Sequence, residues 1–215
     1  MPDETTILNF RHLLERHDLT QALFDRMNAY LASRGLQVKD GTIVDGTIIA
    51  APNSTKNQTE ARDPEMRQTR KGRQWYFGMK LHVGADSKTK LIHSMTTTAA
   101  NVHDANVLGQ LLHGKETRVY GDQAYRGQKA VIRKHAPRAR DFTNRRYRHR
   151  RVVRAWQEPL EVPDTSQGRA RHRGDQAGVQ LHQGSLPGTG EETHRARIAC
   201  GLANLFIARR QLLPV

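Results

Sequence analysis

From residue 37 onward, β-type runs come first as a block and then alternate with helical stretches. That order restricts the fold more than any other feature of the chain. "LQVKDGTIVDGTIIAAP" is β-rich and interrupted by Gly41 and Gly46. "WYFGMKLHVGAD" and "LIHSMTTTAA" read as two strands joined by a turn through Asp86, Ser87 and Lys88. "HDANVLGQLLHG" predicts a short helix with Asp104 as its cap, and "TRVYGD" predicts a fourth strand. "GQKAVIRKHAP" predicts a helix closed by Pro137, and "ARDFTN" a short fifth strand. Antiparallel strands followed by strand–helix alternation predict an α/β sheet with mixed pairing.

Residues 3–34 precede this block and read as a small helical module. Ile7, Leu8, Phe10, Leu13 and Leu14 recur on one helical face, then Leu19, Leu23, Phe24, Met27 and Leu31 on a second, with Gly35 as the stop. The stretch 53–74 is basic and poor in apolar residues, which predicts a long surface loop. Trp75 and Tyr76 read as packing residues rather than base-stacking platforms.

The 215 residues carry a formal net charge of +14, so the default partner is a polyanion, nucleic acid first. No apolar run approaches a membrane span. The single cysteine, Cys200, excludes a disulfide framework and fits a reducing compartment; its apolar surroundings make it a core residue. In that setting the Asn-x-Thr triplets at Asn53 and Asn57 carry no glycan meaning.

Two aspartates stand out. Asp45 sits inside "TIVDGTII", flanked by Ile43, Val44, Ile48 and Ile49, where β propensity disfavours an acid. Either it occupies an edge or bulge, with Gly46 marking the bulge, or it is a ligand. Asp122 ends "TRVYGD", where Gly-Asp is also ordinary turn chemistry. If the first and fourth strands are neighbours, both carboxylates project near one end of the sheet. Two such groups repel unless a divalent cation lies between them, and hard Mg²⁺ prefers such oxygen ligands. Paired ions of that kind serve phosphodiester chemistry.

The segments "TIVDGTIIAAP", "GMKLHVGAD", "NVHDANVL", "VYGDQAYRG" and "ARDFTNRR" resemble those of DDE-type transposases of bacterial insertion sequences. "CGLANLFIARRQLL" is similar to that family's closing helix, and "PDETTILNFRHLLE" to the end of its N-terminal helical region. The resemblance implies a ribonuclease-H-like mixed sheet with flanking helices. It implies cutting and joining of double-stranded DNA, at element ends and target, with two Mg²⁺ ions in active members and one or none here. It makes Asp45 the first catalytic, metal-binding acid and Asp122 the second. It also implies a cytoplasmic, nucleoid-associated bacterial protein and a homo-oligomer on DNA. His103 and Asp104 approach such a site only as minor candidates. DNA contacts are expected from Arg67, Arg70, Lys71 and Arg73, from Arg126, and from Arg145, Arg146 and Arg148, with Arg150, Arg151 and Arg154 continuing that cluster.

The domain plan is then a helical module at 1–36, a catalytic core at 37–152, an irregular segment at 153–193 and a core helix at 194–215. The closing helix should pack through Ile198, Leu202, Leu205 and Phe206. The family pattern expects a third acid, a glutamate on a helix, and residues 153–193 lack it. Glu158 and Glu161 stand beside the helix breakers Pro159 and Pro163. Back-translated with chosen codons and read one base out of frame, "GRARHRGDQAGVQLHQGSLPG" becomes "VEHGTAVIKRVFNFTKVRYR", which resembles the family's glutamate helix. One frameshift at residues 152–155 and a compensating one at 192–194 would account for it. The glutamate would then be encoded across the Arg169 and Ala170 codons. The N-terminal part of the family pattern is also expected to be truncated. The competing readings are a non-catalytic basic DNA-binding remnant and a nucleic-acid-coating protein. Strand-borne acids argue against the latter, because they repel phosphate.

Overall fold

The computed structural model describes residues 3–37, 40–51, 63, 65–144 and 189–212. Two helices come first, α1 (Glu4–Arg16) and α2 (Leu19–Ser33). The Asp3 carboxylate accepts the Thr6 N–H at 2.7 Å and so caps α1. Gly35, at φ 71°, follows α2 as expected of a helix stop. The faces differ from the expectation. Leu14 of α1 and Phe24 and Leu31 of α2 are buried, but Ile7, Leu8, Phe10, Leu13, Leu19 and Leu23 are exposed. The second set therefore has no counterpart among the described residues to pack against.

The centre is a six-stranded mixed sheet. Strand β1 (Gly41–Ala50) pairs antiparallel with β3 (Gln74–Asp86), and β3 pairs antiparallel with β2 (Arg67–Lys71) and β4 (Ile92–Ala99). On its other edge β1 runs parallel to β5 (Arg118–Gly121), which runs parallel to β6 (Asp141–Asn144). This arrangement is ribonuclease-H-like, as the sequence predicts. One local expectation fails and one alternative drops out. Residues 67–71, placed in a loop by their polarity, form β2, because ladder hydrogen bonds on an exposed arm need no apolar face. Gly46 marks no bulge: the β1–β3 register is continuous from Thr42–Asp86 to Ala50–Gly78, and the irregularity lies between Gly84 and Ala85 in the β3–β4 ladder.

The connections are short. A 3-10 turn (Asp104–Val107) leads into α3 (Leu108–Leu111), a second 3-10 turn (Gln123–Tyr125) follows β5, and α4 (Lys129–His135) precedes β6. Val44 and Val119 project from one sheet face into a core with Val107, Leu108, Leu111, Tyr125 and Ile132. Each such fully buried aliphatic side chain contributes about 1.5–3 kcal/mol of hydrophobic stabilisation. Val83 and Ile92 face the other way and pack on Phe24 and Cys200.

Cys200 belongs to α5 (Thr189–Leu212), which starts before the boundary at 194 set by the sequence reading. Its packing face is also not the expected one. Leu202, Leu205 and Phe206 are exposed, while Ala196, Cys200, Gly201, Asn204 and Ala208 are buried. Small residues four apart let the helix lie close on α2 and β4. Asn204 takes the place of an apolar knob: its side chain accepts the Ile92 N–H at 2.7 Å and donates to the Ile92 carbonyl at 2.7 Å. Cys200 is buried as expected, and burial pushes its thiol up to about 12. Among the described residues, no helix is long and apolar enough to cross a membrane.

Candidate active site

Strands β1 and β5 run parallel with Gly41 opposite Arg118, Thr42 opposite Val119 and Ile43 opposite Tyr120. The ladder ends there; the same register carried two residues further would bring Asp45 level with Asp122, the residue after β5. Strand alternation puts Asp45 on the face of Ile43 and Asp122 on the face of Tyr120, the face opposite Val44 and Val119. The two acids that the sequence singles out thus lie on neighbouring strands, Asp45 midway along β1 and Asp122 just past the C-terminal end of β5. The Asp45 carboxylate accepts the Gly46 N–H at 2.9 Å. Asp122, exposed, accepts the Ala124 N–H at 2.8 Å and caps the 3-10 turn Gln123–Tyr125. Its turn role and its place beside Asp45 therefore coexist.

Tyr125 packs with Val44 and Val119 in the core on the other sheet face. Its side chain is fully buried, and its hydroxyl has no hydrogen-bond partner among the described residues. Burial raises the phenol pKa, and the charges of Asp104, Asp45 and Asp122 raise it further, in that order. Three carboxylates thus act on one phenol.

The third of them, Asp104, does not cap its helix. His103 does, its Nδ1 accepting the Ala105 N–H at 3.2 Å. Asp104 instead accepts from Lys80 Nζ at 2.9 Å, and Lys80 also donates to the Val102 carbonyl at 2.8 Å. His82 Nδ1 lies 3.8 Å from the same carboxylate oxygen, and His82 Nε2 is 2.8 Å from Thr98 Oγ1. The His82 ring is fully buried; burial drives its pKa down to about 4, the Lys80 charge adds to the fall, and Asp104 opposes it. Gly46 pairs across the ladder with His82, and the Asp104 carboxylate lies over it. Sequence reasoning passed over Lys80 and His82. The signal for both is their spacing of two along β3, which puts them on the face of Gly46.

Two carboxylates side by side supply oxygen donors suited to a hard divalent cation. Among the described residues, no group of three or more His, Cys, Asp or Glu side chains is arranged to hold a metal ion. Asp104 is committed to Lys80 instead.

The expected DNA contacts divide. Arg67, Arg70 and Lys71 lie on β2 and Arg73 in the turn to β3, all exposed. Arg126 is exposed just after the turn that Asp122 caps. Arg145, Arg146 and Arg148, the continuation Arg150, Arg151 and Arg154, and the acids Glu158 and Glu161 lie outside the described residues, as does the proposed out-of-frame segment up to residue 188. Asn144, the last described residue before that run, pairs with Gly121, the residue before Asp122.

The family model of the Transposase DDE domain matches residues 36–174, more than half of the chain. The chain therefore belongs to the DDE transposase family. No solved structure matches it.

Proposed function

We propose that this transposase binds double-stranded DNA and cuts and rejoins its strands, with Asp45 and Asp122 as the metal-holding acids. The observation that supports this reading is the parallel pairing of β1, which carries Asp45, with β5, which Asp122 directly follows. When bound between them, a divalent cation such as Mg²⁺ supplies Lewis-acid charge for phosphodiester chemistry. Asp45 and Asp122 would hold it, and the peptide N–H bonds from Gly46 and Ala124 orient their carboxylates. Arg67, Arg70, Lys71, Arg73 and Arg126 would neutralise phosphates around the site. Water would be the first nucleophile and a freed 3′-hydroxyl the second.

The reading extends to a weakened or decayed catalyst. Chemistry through two ions needs a further oxygen donor, and Asp104 is engaged by Lys80. A non-catalytic DNA-binding remnant is the alternative that this engagement favours. Calorimetric titration with Mn²⁺ tests the acid pair. Asp45→Asn and Asp122→Asn should each abolish the one strong site. Unchanged Mn²⁺ binding in both variants would remove the pair from the account.

A further inference from the structure

Strand β3 outruns its partner β1. Ladder pairing between them stops at Ala50–Gly78, yet β3 continues back to Gln74 against β2. The excess is a two-stranded arm, 67–77, closed by the two-residue turn Gly72–Arg73. Gly72 holds φ 64° there, a conformation that suits glycine. At the arm's root Gly78 has φ 148°, and a Cβ there would meet the Ile49 carbonyl oxygen at 2.1 Å, so only glycine lets the two strands part at this point. Met66, Phe77 and Met79 form a small buried cluster beneath the arm.

The arm leaves the sheet at the end toward which β1 and β5 both run, beyond Ala50. Trp75 is eight residues along β3 from Val83, the partner of Asp45. That is an extended length of about 26 Å. Trp75 shares a strand face with Phe77 but lies beyond the buried cluster and is 64% exposed. Of the packing roles read from the sequence, core packing is therefore excluded for Trp75. Directly opposite it, Arg70 holds its guanidinium 5.9 Å from the Trp75 ring centre, with its Nε bonded to the Gly72 carbonyl at 3.1 Å. Residues 66–85 include the cations of the arm and no acid.

A wide aromatic face held out on an all-cationic arm fits one ligand chemistry: a nucleobase beside its own phosphates. The bases of an intact duplex have their faces covered by neighbours, so the ligand is an unpaired base. We propose that the β2–β3 arm binds single-stranded or locally unpaired DNA near the cutting site, with Trp75 as the stacking platform and Arg70, Lys71 and Arg73 on the backbone. This rests on the DNA-processing reading above and names a separate contact within it.

The test uses the full chain with Trp156→Phe, leaving Trp75 as the sole tryptophan. A 12-mer single strand and its blunt duplex are titrated by fluorescence and anisotropy at several salt concentrations. Single strand should quench Trp75. Trp75→Leu should weaken single-strand binding roughly five- to hundredfold with an unchanged salt slope. Trp75→Phe should keep most of the affinity, and duplex binding should barely move. Equal single-strand affinity in Trp75→Leu, or an equal loss for both DNAs, would overturn the stacking assignment while leaving DNA binding in place. Binding to neither DNA at low salt would overturn the assignment together with the reading beneath it.

Discussion

Asp104 lies over Gly46: a Cβ on that glycine would sit 3.1 Å from the Asp104 Cγ and 3.2 Å from each carboxylate oxygen. The neighbour of a proposed metal-binding acid is thus a glycine for lack of room, not for backbone freedom. Gly46→Ala should destabilise the fold by about 1–3 kcal/mol, the usual cost of overpacking. Adding Asp104→Ala should return part of that loss, since the two sites share one space. Urea denaturation of the single and double variants checks the coupling, and strictly additive losses would show that the contact does not matter.

The Lys80–Asp104–His82 cluster predicts a pH dependence. His82 titrates at about 4 in the folded chain against an ordinary value of 6.5, with burial as the main cause. The unfolded chain therefore binds the extra proton first as pH falls. This contribution to stability is complete above about pH 6.5 and is lost between there and pH 4, to a total on the order of 3 kcal/mol. His82→Gln should flatten the stability profile in that window. A profile as steep as the parent's would assign the acid sensitivity elsewhere.

Asn204 ties α5 to the sheet through both peptide groups of Ile92, and its side-chain nitrogen also reaches Asn28 Oδ1 at 3.0 Å. Asn204→Leu should cost about 2–4 kcal/mol, because it strands a buried N–H and a buried carbonyl. Amide exchange at Ile92 should accelerate in step with that loss, and an unaltered Ile92 protection factor would exclude the tie.

These two positions show what the sequence made legible. Asp45 stood out because acids are rare in apolar β runs, Asp122 only through the resemblance, and pattern plus resemblance led to the sheet. The arm β2 could not be read, because its residues bury nothing and leave no period-two signature. The α5 face was misread for the opposite reason. Leu202, Leu205 and Phe206 have the larger apolar side chains, whereas close approach to α2 and β4 selects Ala196, Cys200, Asn204 and Ala208. Asp104 looks like a helix cap in the sequence because its partner Lys80 is 24 residues away and pairs with it only once β3 and the 3-10 turn are placed.

Duplex binding should be sensitive to salt and largely indifferent to sequence. With several phosphates neutralised, log affinity falls linearly with log salt, and each of Arg70→Gln and Lys71→Gln should lower the slope by about one. A flat salt response in the parent protein would contradict the phosphate-contact assignment for the arm.

The central claim is that Asp45 and Asp122 form a cutting site left short of its third acid. Its most direct test is the rate of strand cleavage, with Mg²⁺ or Mn²⁺, of DNA carrying the sequences that flank the gene. The chain as written is compared with one whose reading frame is restored over the segment opening at residues 152–155. The restored protein should cut at least about a hundredfold faster, a difference worth about 2.7 kcal/mol of barrier or more. Asp45→Asn or Asp122→Asn should silence it. Equal rates for the two chains, or cutting that survives either substitution, would contradict the account.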